Sequence, residues 1–182
     1  MNRENKSWYV ILGIISKRPM SGYDVKQLIN KISNFYWSEN NAQIYPILKK
    51  LEAENLVTST IDEKSGARNR RIYSITKAGL IVLKEWLSKP APEANYREEI
   101  LIKLSLGQHL SNAVNLKHIQ NYKDQLIVKQ KQLVEAINHI ESKHQSQADY
   151  KYLRMTYNYS KLIIEARIEW CKQTLKELKN LK

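Results

Sequence analysis

Apolar side chains recur every three or four residues in the first third of the chain, the spacing that places them on one face of an α-helix. A first helix, with Ser7 as its candidate N-cap, is predicted to run to about Lys17. Its apolar positions are Trp8, Ile11, Leu12 and Ile15. Pro19 then interrupts the pattern, so the chain is expected to begin with one short helix and a break.

The start of a second helix is marked by a capping box, in which Ser21 is the N-cap and Asp24 stands three residues later. Met20 and Val25 occupy the positions of a hydrophobic staple around that start. The helix should end near Ser33. Its apolar positions follow the i, i+3, i+4, i+7 rule: Val25, Leu28, Ile29 and Ile32.

The third helix is predicted to begin near Asn40 or Asn41, both good N-caps, after an aromatic connector at residues 35–37. Pro46 then lies about one turn inside the helix. Asn55 should end it, because Asn is favoured after Gly at the left-handed position beyond a helix. The buried stripe is predicted to be Ile44, Ile47, Leu48 and Leu51.

The next stretch favours a β-hairpin, because Leu56–Ile61 is rich in Val, Ile and Thr and Arg70–Ile75 alternates weakly. Ser65 and Gly66 supply a turn within its long tip. Thr76 is the candidate N-cap of a fourth helix, with Leu80, Leu83 and Leu87 as its apolar stripe. Pro90 and Pro92 predict a boundary between residues 1–90 and 91–182.

After that boundary the pattern changes to a short apolar helix, Arg97–Leu106, and two long helices, about Asn112–Lys143 and Ala148–Leu181. Their apolar residues recur roughly every 3.5 positions, interrupted by Gln130 and Ser160, as in coiled-coil packing. Two such helices can form a hairpin, and apolar surface left over would pair with a second subunit. The fold class predicted is mainly α: a winged helix-turn-helix followed by a helical dimerisation domain.

The net charge of +12 is typical of a protein with a polyanionic partner, nucleic acid or an anionic membrane surface, but charge alone supports a merely solvated basic surface equally well. The longest apolar stretch, Tyr9–Ile15, is too short to span a bilayer, and no signal peptide is recognisable. The single Cys171 cannot form an intrachain disulfide and fits a reducing compartment. We therefore expect a cytoplasmic protein without a membrane partner.

A helical wheel of the third helix places its apolar stripe on one side and a small, flat face on the other, flanked by polar and basic residues. Such a face fits a DNA major groove, although a plain surface helix would show two lysines as well. The candidate contacts there are Gln43 for adenine, Tyr45 for a phosphate, and Lys49 and Lys50 for phosphates or guanine. Ser21 and Tyr23, at the start of the second helix, complete this half of the site.

The hairpin carries four further candidate DNA contacts around Gly66: Lys64, Arg68, Arg70 and Arg71. Basic side chains at a narrow tip suit a minor groove or flanking phosphates, whereas a solvated loop is the alternative. The succession of such a helix and such a hairpin favours DNA binding more than either feature alone.

The chain resembles the PadR family of bacterial transcriptional regulators, in the longer form with a helical C-terminal domain. The segments that carry the resemblance are Ser21–Ile29, Ile44–Val57, Arg70–Gly79 and Arg97–Gly107, so it spans nearly the whole chain. The resemblance implies a homodimer whose third helices enter successive major grooves of a near-palindromic operator. It also implies repression that a small, perhaps phenolic, effector relieves. Two departures are Asn55 where the family commonly has Gly and Gln43 where it has a smaller residue.

Effector contacts are harder to predict, because tryptophans suit planar ligands but are also ordinary core residues. The candidates are Trp8, Trp37 and Trp86, together with the aromatic-rich stretch Tyr150–Tyr159. Trp86 is preferred because it lies off the Leu80, Leu83, Leu87 stripe.

The sequence gives no support for an enzymatic function, because phosphate-loop, serine-hydrolase and zinc-protease motifs are absent from it. The four histidines, 109, 118, 139 and 144, and the one cysteine do not have metal-site spacing, and Cys171 is interpreted as a small buried residue. No cofactor or metal is expected. The second interpretation of the whole chain is a basic coiled-coil protein that contacts proteins or membrane surfaces, and an enzyme is the third.

Overall fold

The computed structural model describes residues 6–33, 35, 43–62, 70–94, 97–143 and 147–181. The chain divides into two compact units, Met1–Glu93 and Ala94–Lys182. In the described residues, helices predominate over one small sheet, which confirms the predicted fold class. No helix in that part of the chain is long and apolar enough to cross a membrane.

The first unit contains four helices and a small antiparallel sheet within the described ranges. The helices are α1 (Lys6–Ile15), α2 (Gly22–Ser33), α3 (Ile44–Ala53) and α4 (Lys77–Ser88). The strands are β1 (Met20–Ser21), β2 (Val57–Asp62) and β3 (Arg70–Ile75), in the order β1-β3-β2. The predicted hairpin is therefore confirmed, with Val57 opposite Ile75 and Asp62 opposite Arg70. Sequence analysis missed β1, because two residues are too few to show alternation.

The core of this unit lies where α1, α2 and α3 meet the sheet. The predicted buried positions of α1 and α3 are confirmed, except that Trp8 is only half-buried. The fully buried side chains of these helices include Ile11, Leu12, Val25, Ile44, Leu48 and Leu51. Ser7 was predicted as an N-cap but is a buried residue inside the first turn of α1.

The start of α2 is held by the predicted capping box. The backbone N–H of Asp24 donates to Ser21 Oγ (3.2 Å), and the backbone N–H of Ser21 donates to Asp24 Oδ2 (3.1 Å). Met20 and Val25 are both buried, as the hydrophobic staple requires. This junction joins β1 to α2 and fixes the direction in which α2 leaves the sheet.

The predicted N-caps of α3 are not tested by the structure. Asn40 and Asn41 lie outside the described residues, and α3 begins only at Ile44, with Gln43 before it making no side-chain cap. Pro46 is thus the third residue of the helix, where its missing N–H has no intrahelical acceptor to lose.

The end of α3 is the left-handed turn that Asn55 predicts. Asn55 has φ of 57°, and it is the non-glycine residue with positive φ among the described residues. The N–H of Asn55 donates to the Glu52 carbonyl (3.0 Å), and the N–H of Leu56 donates to the Leu51 carbonyl (2.9 Å). These two bonds form a Schellman motif, which turns the chain directly into β2.

The start of α4 is hydrogen-bonded to that turn. Thr76 Oγ1 accepts from the N–H of Gly79 (3.0 Å), which confirms the predicted N-cap. The same hydroxyl lies 2.8 Å from the Asn55 carbonyl, to which it donates. Gly79 is required here, because a Cβ would lie 2.1 Å from the Leu56 carbonyl oxygen.

The predicted apolar stripe of α4 is largely wrong. Leu83 is buried, but Leu80 is 38% and Leu87 is 64% exposed. The face that packs on the core instead carries Val82, Leu83 and Trp86. The close approach of Gly79 to Leu56 sets the rotation of α4 that turns Trp86 towards the core. This approach is a tertiary contact, which the spacing of apolar residues along the sequence cannot reveal.

The second unit is built on a long helical hairpin. It comprises α5 (Glu99–Ser105), a 3₁₀ turn (Gly107–His109), α6 (Asn112–Lys143) and α7 (Tyr150–Asn180). Buried residues repeat every seven positions at the interface of α6 and α7, as predicted: Ile119, Leu126 and Leu133 on α6, and Tyr157, Ile164, Cys171 and Leu178 on α7. Ser160 does interrupt the apolar seam and is buried there, donating to the Thr156 carbonyl.

A polar cluster ties the segment before α5 to this hairpin. Arg167 of α7 and Tyr122 of α6 both donate to the Glu98 carboxylate, Tyr122 at 3.0 Å. Burial, followed by the hydrogen bond to Glu98, raises the pKa of Tyr122 to about 12. The phenol therefore stays a neutral donor at physiological pH, which keeps the carboxylate satisfied.

Candidate nucleic-acid interface

The outer face of α3 is solvent-exposed along its length. Tyr45 is 50% exposed, and Lys49 and Lys50 are exposed on the flanks, whereas the opposite stripe is fully buried. Lys49 and Lys50 make no ion pair with the described residues, so both charges are free for an external anion. Gln43 is exposed immediately before the helix rather than on its first turn.

Tyr45 is positioned by the start of α2. A Cβ on Gly22 would lie 2.7 Å from Tyr45 Cε1, so the tyrosine ring packs directly over the glycine. Tyr23, the next residue, is 59% exposed. The absent side chain of Gly22 thus lets the first turns of α2 and α3 approach each other, with two tyrosines beside that contact.

Arg70 joins β3 to the capping box of α2. Its Nη2 donates to Asp24 Oδ2 at 2.5 Å and to Ser21 Oγ at 3.1 Å. Burial raises the pKa of Asp24, but the hydrogen bonds from Ser21 and the charge of Arg70 outweigh it, so this pKa lies below its ordinary value. The carboxylate is therefore charged at neutral pH and holds one of the predicted DNA contacts.

Arg71 makes the corresponding link to the end of α3. Its Nη1 lies 3.2 Å from Glu52 Oε2, and Ser59 Oγ of β2 donates to Glu52 Oε1 at 2.5 Å. The arginine side chains of both links remain about half exposed, 43% for Arg70 and 51% for Arg71. Exposed ion pairs of this kind contribute little stability, roughly 0–1 kcal/mol, so a phosphate can compete for either guanidinium.

The structure brings part of the predicted site together. Ser21 and Arg70 are hydrogen-bonded, and Tyr45 packs against Gly22 at the start of α2, next to Tyr23. Lys64 and Arg68 lie outside the described residues. Asp24 and Glu52 were missed as arginine partners, because pairs separated by 46 and 19 positions leave no local signal in a sequence.

The effector candidates in this unit belong to its core. Trp86 stacks on Tyr9 with ring centroids 4.8 Å apart and an interplanar angle of 5°, and Trp8 packs against the same core. The argument that Trp86 lies off the buried face is therefore wrong. Trp37 lies outside the described residues, and an effector role for the three tryptophans stays a prediction.

Cys171 is buried, as predicted, with no exposed surface. Burial raises the pKa of the thiol, with the charge of Lys123 opposing it, which makes the thiolate scarce at neutral pH. In the ranges that the structure describes, no three His, Cys, Asp or Glu side chains are grouped so that they could hold a metal ion.

Comparison with known proteins agrees with this geometry. Residues 11–85 match the PadR-like family of transcriptional regulators, and residues 96–179 match the C-terminal domain named for the virulence activator alpha. The negative transcriptional regulator PadR of Bacillus subtilis is 32% identical over 127 residues, which cover 69% of this chain and 68% of that protein. The chain belongs to the PadR-like family of transcriptional regulators.

Solved structures show the same PadR fold over nearly the whole chain. Bacillus subtilis PadR in complex with operator DNA covers 94% of this chain and 98% of that one, with a TM-score of 0.82 at 22% identity. The same protein in complex with p-coumaric acid covers both chains completely, with a TM-score of 0.77 at 21% identity.

The family assignment makes this chain a DNA-binding transcriptional regulator and disfavours a coiled-coil protein without DNA binding. It places the chain among regulators rather than enzymes.

Proposed function

We propose that this protein is a homodimeric repressor whose residues 1–90 bind a near-palindromic operator and whose residues 91–182 form the dimer. The observation that carries the proposal is the exposed face of α3 beside the β2–β3 hairpin, with two lysines that make no ion pair with the residues described by the structure. Repression rather than activation is supported by the negative transcriptional regulator that is 32% identical to this chain. Since operators lie on chromosomal DNA, the proposed compartment is the cytoplasm.

In this proposal α3 enters the major groove. Tyr45, Lys49 and Lys50 face the DNA, with Gln43 reaching a base edge and Tyr23 near the phosphates. Ser21, predicted as a DNA contact, is only 3% exposed and supports the site through its hydrogen bond from Arg70. Arg70 and Arg71 exchange their carboxylate partners for phosphates at the groove edge, while Lys64 and Arg68 reach the flanking backbone. No catalytic step forms part of this function.

Dimerisation through the second unit is supported by apolar residues that the hairpin leaves exposed. Tyr152, Met155, Tyr159 and Leu162 follow helical spacing along the outer face of α7, and each is more than half exposed. Apolar faces of this kind are commonly buried in an interface. A dimer would place two copies of α3 at a fixed spacing, as a palindromic site requires.

The effector in this proposal is a small phenolic acid that relieves repression. The support is that a protein of the same family and fold, Bacillus subtilis PadR, has been crystallised with p-coumaric acid. Trp8, Trp37 and Trp86 keep their place as candidate contacts. Replacing Trp86 by Phe should weaken the response to the acid if the Tyr9 stack opens to admit it.

The DNA part is tested with the double variant Lys49→Ala, Lys50→Ala. Fluorescence anisotropy with a promoter fragment carrying an inverted repeat should show weaker binding at every sequence and a flatter dependence of log K on log salt, by about one unit per lost phosphate contact. The control is Lys129→Ala, Lys131→Ala on α6, which removes the same charge from two exposed positions of the second unit. Equal affinities of both double variants and the wild type would refute the assignment of α3.

A further inference from the structure

One carboxylate near the end of α3 contacts both strands of the hairpin. Glu52 Oε1 accepts a hydrogen bond from Ser59 Oγ of β2 (2.5 Å), and Glu52 Oε2 lies 3.2 Å from Arg71 Nη1 of β3. The two strands therefore bind different oxygens of the same side chain. As a result, the contact with Arg71 can be exchanged while the contact with Ser59 remains.

The register of the hairpin brings Ser59 and Arg71 to the same face of the sheet. Ser59 lies directly opposite Tyr73, which is two residues after Arg71 on β3. Directly opposite side chains share a face of a sheet, and so do side chains two residues apart on one strand. Tyr73 is buried, so this is the face that packs on the core, with Glu52 at its edge.

Glu52 also belongs to the flank of α3 that is proposed to face DNA. It stands seven residues after Tyr45, about 20° away around the helix axis, and its side chain is 32% exposed. A negative charge in this place works against the binding of a polyanion. Any benefit of Glu52 to DNA binding therefore comes from the two side chains that it holds.

The tie between α3 and the hairpin matters because the two elements must contact DNA together. A helix in the major groove and a hairpin at the groove edge fit one duplex only at one relative placement. When Arg71 turns to a phosphate, Ser59 still holds Glu52. Strand β2 then stays fixed beside α3 while the guanidinium is released.

We propose that Glu52 is a positioning residue for operator recognition. Through Ser59 it fixes the hairpin against α3, and through Arg71 it holds a guanidinium that a phosphate of the bound operator takes over. The inference rests on the proposed function and deepens it, by naming a residue that sets specificity without touching DNA. DNA of unrelated sequence is bound through charge alone and needs no fixed hairpin, so the Ser59 contact favours the operator selectively.

The first test is Ser59→Ala, measured by fluorescence anisotropy on a promoter fragment carrying an inverted repeat and on a scrambled fragment of the same length. No charge changes, so the affinity for the scrambled fragment should equal that of the wild type. The affinity for the inverted repeat should fall by about two- to tenfold, the cost of ordering one further side chain on binding. Ser74→Ala makes the same substitution on the opposite face of the hairpin and should leave both affinities unchanged.

The second test is Glu52→Gln, whose amide oxygen still accepts from Ser59 but no longer forms an ion pair with Arg71. Its control is Glu54→Gln, which removes the same charge from an exposed residue that makes no ion pair with the described residues. Glu52→Gln should bind both fragments about two- to fivefold more tightly than Glu54→Gln, because Arg71 then reaches a phosphate without leaving a carboxylate.

The outcomes separate this inference from the proposed function. Unchanged binding of Ser59→Ala to the inverted repeat, or equal losses on both fragments, would overturn the positioning role. Equal affinities of Glu52→Gln and Glu54→Gln would show that Glu52 does not restrain Arg71. A wild type that prefers the inverted repeat, with a preference that Ser59→Ala preserves, refutes this inference alone. A wild type that binds both fragments equally refutes the proposed function and this inference with it.

Discussion

Replacing Gly79 by Ala should disrupt the junction between the turn that ends α3 and the start of α4. The new Cβ would lie 2.1 Å from the Leu56 carbonyl oxygen, a backbone atom that cannot swing aside. Even a weak C–H···O contact keeps carbon and oxygen about 3.3 Å apart, so helix and turn must separate by about 1 Å. The hydrogen bond from the Thr76 N–H to that carbonyl, now 3.0 Å, would then be lost.

The magnitude follows from three terms. Overpacking costs about 1–3 kcal/mol, and a lost hydrogen bond costs about 1 kcal/mol. Alanine's better helix propensity returns at most about 1 kcal/mol. The free energy of unfolding should therefore fall by about 1–3 kcal/mol, and Tm by about 2–12 °C for a chain of this size.

Gly13→Ala is the matched control, because it makes the same change in a helix of the same unit. Its new Cβ would have only Leu83 Cδ1 nearby, at 4.0 Å. With no clash, the variant should gain about 0.5–1 kcal/mol from the lower entropy of the unfolded chain. The two glycines should thus respond to one substitution with opposite signs.

The assay is urea unfolding at fixed protein concentration, combined with hydrogen exchange of the α3 amides, which reports on the first unit alone. Gly79→Ala should also weaken operator binding, since the junction sets where the hairpin lies beside α3. Wild-type stability in Gly79→Ala would show that the Leu56 carbonyl yields freely, and the argument for this junction would fail. A destabilised Gly13→Ala would show that the space beside α1 is not open.

Other substitutions test the remaining contacts. Asn55→Val should destabilise the first unit by about 1–2 kcal/mol in urea unfolding, because a β-branched residue is strained at φ of 57°. Asn55→Gly should have nearly wild-type stability. Similar stabilities of the two variants would argue against the left-handed turn. Asp24→Asn should cost about 1 kcal/mol near pH 7. Because folding lowers the pKa of Asp24 below its ordinary value of 3.8, the stability difference from wild type should persist at pH 5 and vanish as the pH falls below 3.8. A difference that grows on acidification would contradict the Arg70 pairing. Met155→Glu with Leu162→Glu should give a monomer by light scattering with unchanged helicity, because both side chains are exposed; a persistent dimer would move the interface elsewhere. In a pH titration followed by phenolate absorbance at 295 nm, the last step, at a pH of about 12, should be missing from Tyr122→Phe. If that step remained, the pKa would belong to another tyrosine.

Local rules were enough to predict most of the elements. The capping box at Ser21 and Asp24, the cap at Thr76 and the left-handed turn at Asn55 were each predicted from a few neighbouring residues. The heptad spacing likewise predicted the α6–α7 hairpin. These features depend on the geometry of one or two turns of chain, which the local sequence determines.

Errors arose wherever a contact joins distant segments. Gly79 against Leu56 turned α4 so that Trp86, rather than Leu87, packs on the core. Arg70 and Arg71 were predicted from the sequence as DNA contacts without partners in the protein. In the structure they form ion pairs with Asp24 and Glu52, respectively. The sequence by itself determined the helices, the hairpin and the basic character of α3. Only the tertiary structure decided which faces are buried and which cations are free, because both depend on what the folded chain places alongside each residue.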